Sequence, residues 1–288
     1  MSTSIQSENV PAAAANLDPS VVAGFGDEWT RMDQSRLTGT EYEQLFDSYF
    51  HIFPWDRLPA DAVGFDLGCG SGRWARGVAP RVGRLHCADA SGDALAVARQ
   101  NLAHLPNVSF HHASVDALPF ADRSMDFGYC LGVLHHVPDT AAGLAAAVAK
   151  LKPGAPFLLY LYYAFDNQPL WYRSVWKMSE GARYLLSRSP HGVRYAATQV
   201  LAATVYYPLA RAARLLERGG VNVHSAPLSA YRNCSFYTMR TDALDRFGTR
   251  LEQRFTRPQI RAMMEGAGLR DITFSDRTPF WCAVGVKR

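Results

Sequence analysis

The sequence predicts a doubly wound α/β protein built on a mostly parallel sheet. Two observations carry that prediction. Between residues 63 and 163, short apolar runs alternate with helix-periodic stretches five times, the pattern of repeated strand–crossover–strand units. The first run, Val63-Gly-Phe-Asp66-Leu, leads into glycines at 68, 70 and 72 before a helical pattern begins at Trp74. Glycine supplies the positive φ of a tight turn and lets a ligand lie against the backbone. A helix N-terminus offers open amides to polar or anionic groups. The turn therefore predicts a nucleotide-like ligand.

Composition sets the bounds. A chain of 288 residues has room for one large α/β domain with additions or for two small domains, and 48% hydrophobic with 19% charged residues excludes wholesale disorder. The net charge of +4 is too small to argue for a nucleic-acid partner. Cysteines 69, 87, 130, 234 and 282 are scattered, odd in number and without a C-x-x-C pair. They read as reduced thiols of a cytoplasmic protein, with no metal site and no disulfide framework. Residues 1–24 lack any Lys or Arg and the apolar core of a signal peptide, and are expected to be a disordered tail.

Taken in order, residues 25–163 are expected to hold a cap helix and the ligand-binding core. Tyr42, Leu45, Phe46, Tyr49, Phe50 and Phe53 follow helical spacing over Glu41 to Phe53. That helix packs on the sheet, caps the ligand, or does both, with Trp29 and Arg31 in the connecting segment as candidate contacts. Trp74, Ala75, Val78, Ala79 and Val82 mark the first crossover helix. Arg84 to Asp89 is a second strand closing on a carboxylate, 17 residues past Gly72, close to where a nucleotide site needs an acid for ribose hydroxyls. The alternative reading of Asp89 is a helix cap. A second helix covers Asp93 to His104, and Asn107 to His111 is the third strand. Phe127 to Leu131 is the fourth strand, with Leu-His135-His136-Val-Pro-Asp139 in the loop after it. Asp139 is placed to cap a helix over Ala141 to Leu151. Phe157 to Tyr163 is a central strand, apolar almost throughout.

The motif Asp66-x-Gly68-x-Gly70-x-Gly72 resembles motif I of class I S-adenosylmethionine (SAM)-dependent methyltransferases, not the G-x-G-x-x-G of dinucleotide sites. Ala113-Ser114-Val115-Asp116-Ala-Leu118-Pro119-Phe120 and Leu134-His135-His136 resemble the "L-P-F" and "L-H-H" segments of small-molecule members. Thr256-Arg-Pro258 through Gly268-Leu269 resembles the helix before their last two strands. The resemblance covers about residues 60–163 and 255–288. It implies a seven-stranded Rossmann-like sheet in the order 3-2-1-4-5-7-6, with a helical insertion between strands 5 and 6. It also implies SAM as cofactor, held by Asp66, Gly68, Gly70 and Gly72 at its amino-acid end. Asp89 and Ala90 are implied at the ribose, Ser114 and Val115 at the adenine, with Leu131 and Trp29 as further contacts. Ser114 departs from the Asp of many relatives, so its bond to adenine would be weaker.

Residues 164–255 are expected to be a helical lid for substrate recognition, and 256–288 the last core helix and a closing strand hairpin. Between Phe165 and Gly220, eight basic residues face three acidic ones, so the chain's positive balance is concentrated here. Three readings stay open: a lid with a solvated basic face, a lid shaped for a lipophilic or anionic substrate, and a surface element touching a membrane. The stretch between Arg194 and Arg211 is too short and interrupted to span a bilayer. Residues 221–242 mix polar and aromatic side chains without a period and read as loop.

The expected activity is methyl transfer to a small-molecule acceptor by in-line displacement, which needs alignment and exclusion of water. A base is needed only where the acceptor must lose a proton. His135 and His136 are the candidates, with Tyr163, Tyr231 and Arg232 to orient substrate. Cys130-Leu-Gly-Val133 stands where methyltransferases acting on nucleic-acid bases resemble one another in an Asp/Asn-Pro-Pro-aromatic tetrapeptide, so nucleic acid is not expected. The alternatives are a non-catalytic SAM-binding or partner protein and an NAD-dependent oxidoreductase. The G-x-G-x-G spacing and the lack of a Tyr-x-x-x-Lys pair oppose the latter.

Overall fold

The computed structural model describes residues 16–37, 39–223 and 225–288. Seven strands are present: β1 (Val63–Leu67), β2 (Arg84–Asp89), β3 (Val108–His112), β4 (Phe127–Leu131), β5 (Pro156–Tyr160), β6 (Leu269–Phe274) and β7 (Ala283–Lys287). They form one sheet in the order β3-β2-β1-β4-β5-β7-β6. β1 to β5 pair in parallel, and β7 runs antiparallel between β5 and β6. The chain winds outward in one direction from β1 and in the other from β4. Their junction is the switch point where a crevice opens at the carboxyl ends of the strands.

Ten α-helices surround the sheet: α1 (Pro19–Arg31), α2 (Gly39–Phe50), α3 (Ala75–Val78), α4 (Gly92–Asn101), α5 (Thr140–Ala149), α6 (Leu170–Ser187), α7 (His191–Leu201), α8 (Tyr207–Arg218), α9 (Phe236–Gly248) and α10 (Arg257–Gly266), counted among the described residues. Alternate strand residues serve opposite layers. Phe65, Cys130, Phe157 and Leu159 pack with Leu144, Val148, Ile260 and Met264 of α5 and α10. Phe127, Tyr129, Leu131 and Leu158 pack with Phe46, Phe50, Val78 and Leu95 of α2, α3 and α4. Because both faces are covered, β4 and β5 read as continuous apolar runs. Each large apolar side chain fully buried here contributes about 1.5–3 kcal/mol.

Two sequence expectations are corrected. The tail expected over residues 1–24 is ordered from Asn16, and residues 1–15 lie outside the described residues. The Asn16 side chain donates to the Asp139 carbonyl at 2.8 Å and accepts from the Asp139 amide at 2.7 Å. Asp18 caps α1 through the Ser20 and Val21 amides, and Pro19 sits in the first turn, where its missing N–H costs nothing. A stretch poor in charge but correctly capped is a helix when its apolar side chains have a surface to lie on.

The second correction concerns Phe236–Gly248, read as loop up to Asp242 and found as α9. Ser235 caps it by accepting from the Thr238 amide. Thr238, Met239, Thr241, Ala243, Leu244 and Phe247 are all buried. A helix enclosed on several sides by α1, α6 and α7 needs no polar face and shows no amphipathic period. Ala202, Tyr206, Ala210, Met239, Ala243 and Phe247 make a separate small core inside the lid, where backbone runs helically from His191 to Arg218 through a π turn at Ala202–Tyr206. Among the described residues, no helix is long and apolar enough to cross a membrane.

Candidate active site

The glycine turn sits where β1 gives way to α3, and each glycine has a separate physical reason. Gly68 has φ +73°, and a Cβ there would lie 2.4 Å from the Val133 side chain. Gly70 has φ +53°, and a Cβ there would meet the Trp29 indole at 2.9 Å. α1 is thus laid directly over the turn, with Trp29 against Gly70. Across the turn, Asp89 at the end of β2 accepts from the Gly70 amide at 2.8 Å through one oxygen and from the Ser91 amide at 2.8 Å through the other. Burial raises its pKa, opposed by those two amide bonds. Ser91, not Asp89, caps α4.

A cleft opens above these groups, holding about 870 Å³ of empty space that is partly open to solvent. This is within the range of small-ligand pockets. Gly68, Gly70, Ser71 and Asp89 form one end; Val115, Leu131 and Val137 supply apolar wall; Val21, Phe25 and Trp29 of α1 form the roof. These residues fit SAM. Each Asp89 oxygen keeps a lone pair for a vicinal diol, the apolar wall suits a purine, and the buried Ser71 hydroxyl lacks a partner.

At the other end stands His136. Its Nδ1 lies 2.7 Å from the Leu251 carbonyl. A carbonyl only accepts, so Nδ1 carries the proton and Nε2 is a bare lone pair. Burial lowers the pKa to about 4, which keeps the ring neutral. Nε2 has no bonding partner and lies 3.9 Å from Oδ1 of Asp245, itself without one. The Tyr162 hydroxyl donates to the other Asp245 oxygen. Asp245 comes from α9, so the lid reaches the core at this point. Burial raises Asp245 to about 6, and the Tyr162 bond opposes this. Glu28 of α1 is buried too, and its pKa is raised by burial and by the nearby charges of Asp245 and Asp242.

The remaining expected site residues are placed as follows. Ala90 lines the cleft with Asp89. Asp66 lies fully buried and outside the cleft wall; burial raises it to about 8, opposed by the neighbouring Tyr129 hydroxyl. Gly72 packs against Leu102 of the segment after α4. Ser114 is turned away, its hydroxyl donating to Asp116 at 2.7 Å, while Val115 faces inward. His135 accepts from the Tyr162 amide at 3.4 Å and stacks on that ring at 3.8 Å; it is a packing residue outside the cleft. Tyr163 packs between Phe165 and Phe280. Tyr231 bonds Asp242 within the lid. Arg232 pairs with Glu217 at 2.8 Å on the outside of the lid, too far out to orient a substrate in the cleft. Arg31 binds Asp27 and lies over Tyr195.

Sequence reading did not single out Phe25, Ser71 and Arg73, which line the cleft, or Asp245 and Tyr162 near His136. Ser71 and Arg73 were legible as neighbours of the glycines. Asp245 was not, because only the fold of the lid brings it to His136.

A sheet of this order, with a glycine turn after β1 and a carboxylate ending β2, defines a nucleotide-cofactor α/β enzyme fold. A family model for the methyltransferase domain matches residues 65–154. Among curated proteins, the chain is 30% identical over 159 residues to the 2-phytyl-1,4-naphtoquinone methyltransferase of Thermosynechococcus vestitus, covering 50% of this chain and 70% of that protein. It is 33% identical over 129 residues to a ubiquinone biosynthesis O-methyltransferase of Alkalilimnicola ehrlichii, covering 44% of this chain and 50% of that one. The match thus spans about half the length of that ubiquinone relative. A solved structure described as a possible exported protein from Bordetella parapertussis superposes with a TM-score of 0.50 at 15% identity, covering 91% and 79% of the two chains, a likeness in fold alone. The chain belongs to the class I SAM-dependent methyltransferases.

Proposed function

We propose that the protein transfers the methyl group of SAM to a small-molecule acceptor, with His136 taking the acceptor's proton. The observation that carries this reading is the cleft lined by Asp89 and the glycine turn and also by His136, whose buried Nε2 has no partner. Asp89 would hold the ribose hydroxyls, the Gly68–Gly70 backbone and Ser71 the amino-acid end, and Val115 and Leu131 the base. Bound SAM supplies a methyl group on a cationic sulfonium, open to in-line displacement. The protein's own part is alignment and water exclusion. Leu251 holds the His136 tautomer that leaves Nε2 free, and Asp245 stands where it would stabilise the imidazolium formed when Nε2 takes a proton. The roof formed by α1 suits a small acceptor, and the quinone methyltransferases among its relatives support that class.

Calorimetric titration tests the cofactor half. SAM and S-adenosylhomocysteine should bind and NAD should not, and Asp89→Ala should weaken SAM by at least ~10-fold, on the order of 1.4 kcal/mol. Absence of SAM binding would sink the reading; unchanged affinity in the variant would move the ribose elsewhere. A tritiated-methyl transfer screen across metabolite extracts then identifies the acceptor.

A further inference from the structure

The lid is apolar on the wrong side. All fifteen large hydrophobic side chains that are exposed among the described residues lie between Leu170 and Phe236. The described residues before Leu170 and after Phe236 contribute none. α6 shows the pattern most clearly. Its inward face carries Tyr172, Trp176, Arg183 and Ser187, which are at least partly covered by protein. On the opposite face stand Leu170, Trp171, Val175, Met178 and Leu185, with Met178 81% and Leu185 70% exposed. At 100° per residue these five fall within one stripe. Arg173, Lys177 and Arg188 run along one border of that stripe, all exposed. α8 repeats the arrangement on a smaller scale, exposing Leu215 and Leu216 beside Arg218.

Exposed apolar surface concentrated in this way marks a contact surface. Its charge says what kind. Eight basic residues face three acidic ones between Phe165 and Gly220. Two of those three acids are already paired, Glu180 with Arg183 and Glu217 with Arg232. An apolar stripe with a tryptophan, bordered by cations, fits the boundary between headgroups and acyl chains of an anionic bilayer, where the stripe loses water and the cations meet phosphate. A second copy of this chain would bring the same positive charge to the contact and be repelled.

We propose that the outer face of α6, together with that of α8, docks the enzyme on an anionic phospholipid surface. The docking is peripheral. The face lies on the side of the lid away from the small core of Tyr206, Met239 and Phe247, so the lid can rest on lipid while its inner helix α9 still holds Asp245 beside His136.

Flotation of the full chain with vesicles tests this. The protein should float with phosphatidylcholine vesicles containing a quarter phosphatidylglycerol, bind pure phosphatidylcholine much more weakly, and be released by molar salt. The double substitution Met178→Glu/Leu185→Glu should lower partitioning by roughly 10-fold or more, while Arg173→Gln/Lys177→Gln should abolish the preference for anionic vesicles. Both pairs are exposed, and an unchanged circular dichroism melting curve shows that the fold is intact. No flotation with either vesicle, or equal flotation of the M178E/L185E protein, overturns the proposal. So does a dimer in sedimentation velocity that the same two substitutions dissociate, since the face would then belong to a second copy.

Discussion

At the scale of single residues, the unusual feature is a histidine kept neutral by burial yet left with an empty lone pair. His136→Asn preserves a side-chain donor toward Leu251 and removes the base. It should lower kcat by 10²-fold or more, the usual size of a general-base contribution, while SAM affinity changes less than about 2-fold; equal losses in both would make His136 a structural residue. The same group carries a pH signature. In the unfolded chain His136 titrates near its ordinary 6.5, whereas burial holds it to about 4 in the fold. Below 6.5 the unfolded state therefore binds the extra proton, and the stability that neutral His136 contributes is lost as pH falls from 6.5 toward 4. The stability gap between wild type and His136→Asn should narrow by about 2 kcal/mol from pH 7 to pH 5. Urea unfolding at the two pH values reads it, and a gap that widens on acidification would contradict the burial argument. The wild-type curve alone would not serve, because Asp66, Asp242 and Asp245 are raised by burial and act with the opposite sign.

At the scale of elements, α9 joins the lid to the core beside His136, and its start is fixed by Ser235. The Ser235 hydroxyl accepts from the Thr238 amide, and its own amide donates to Glu41 of α2 at 2.7 Å. Ser235→Ala should cost about 1 kcal/mol through the lost cap, seen as a lower melting temperature with SAM affinity nearly unchanged. This element also shows where sequence reading stops. β1, β4, β5 and α10 were legible because each has one periodicity and one clear punctuation mark: Asp66 before the glycines, Thr256 and Pro258 at a helix start. The Thr256 hydroxyl indeed accepts from the Gln259 amide while the Gln259 side chain accepts from the Thr256 amide. α9 has a proper cap but buries Thr238 and Thr241 as well as Met239 and Phe247, so no polar face marks it. α1 was hidden differently, by a charge-poor composition that resembles a tail until Asn16 is seen tied to Asp139. The glycine turn and Asp89 were readable because backbone conformation demands particular residues there. Asp245 became a site residue only through a contact 109 positions from His136, which no local pattern announces.

For the whole molecule, the decisive relation is between the core, which supplies the floor of the cleft, and α1, which supplies the roof. Val21, Phe25 and Trp29 line the cleft from above, Trp29 rests on Gly70, and Asn16 ties the start of the segment to the loop after β4. A ligand seated at Asp89 lies under this roof, so local opening of α1 is expected to accompany its exchange. That roof has no sheet hydrogen bonds, and its polar ties to the core are side-chain bonds at its two ends, Asn16 to Asp139 before α1 and Asn101 to the Asp33 carbonyl after it. Local opening therefore costs much less than global unfolding. A ligand that binds only under the closed roof adds RT ln(1 + [L]/Kd), about 2.7 kcal/mol at a hundredfold excess over Kd. Hydrogen exchange should register this unevenly. With saturating S-adenosylhomocysteine, amides of α1 and of the turn at 68–73 should slow by roughly 10-fold to 100-fold, matching that free energy. Amides of β5 and β7, already limited by deep burial in the sheet, should change little. The N-terminal half of α9 should slow along with α1, because Gln34 after α1 bonds both Tyr237 and Thr241 of that helix. If α1 exchanges equally fast with and without ligand, the roof does not close over the cofactor, and the cleft must be sealed by the lid alone.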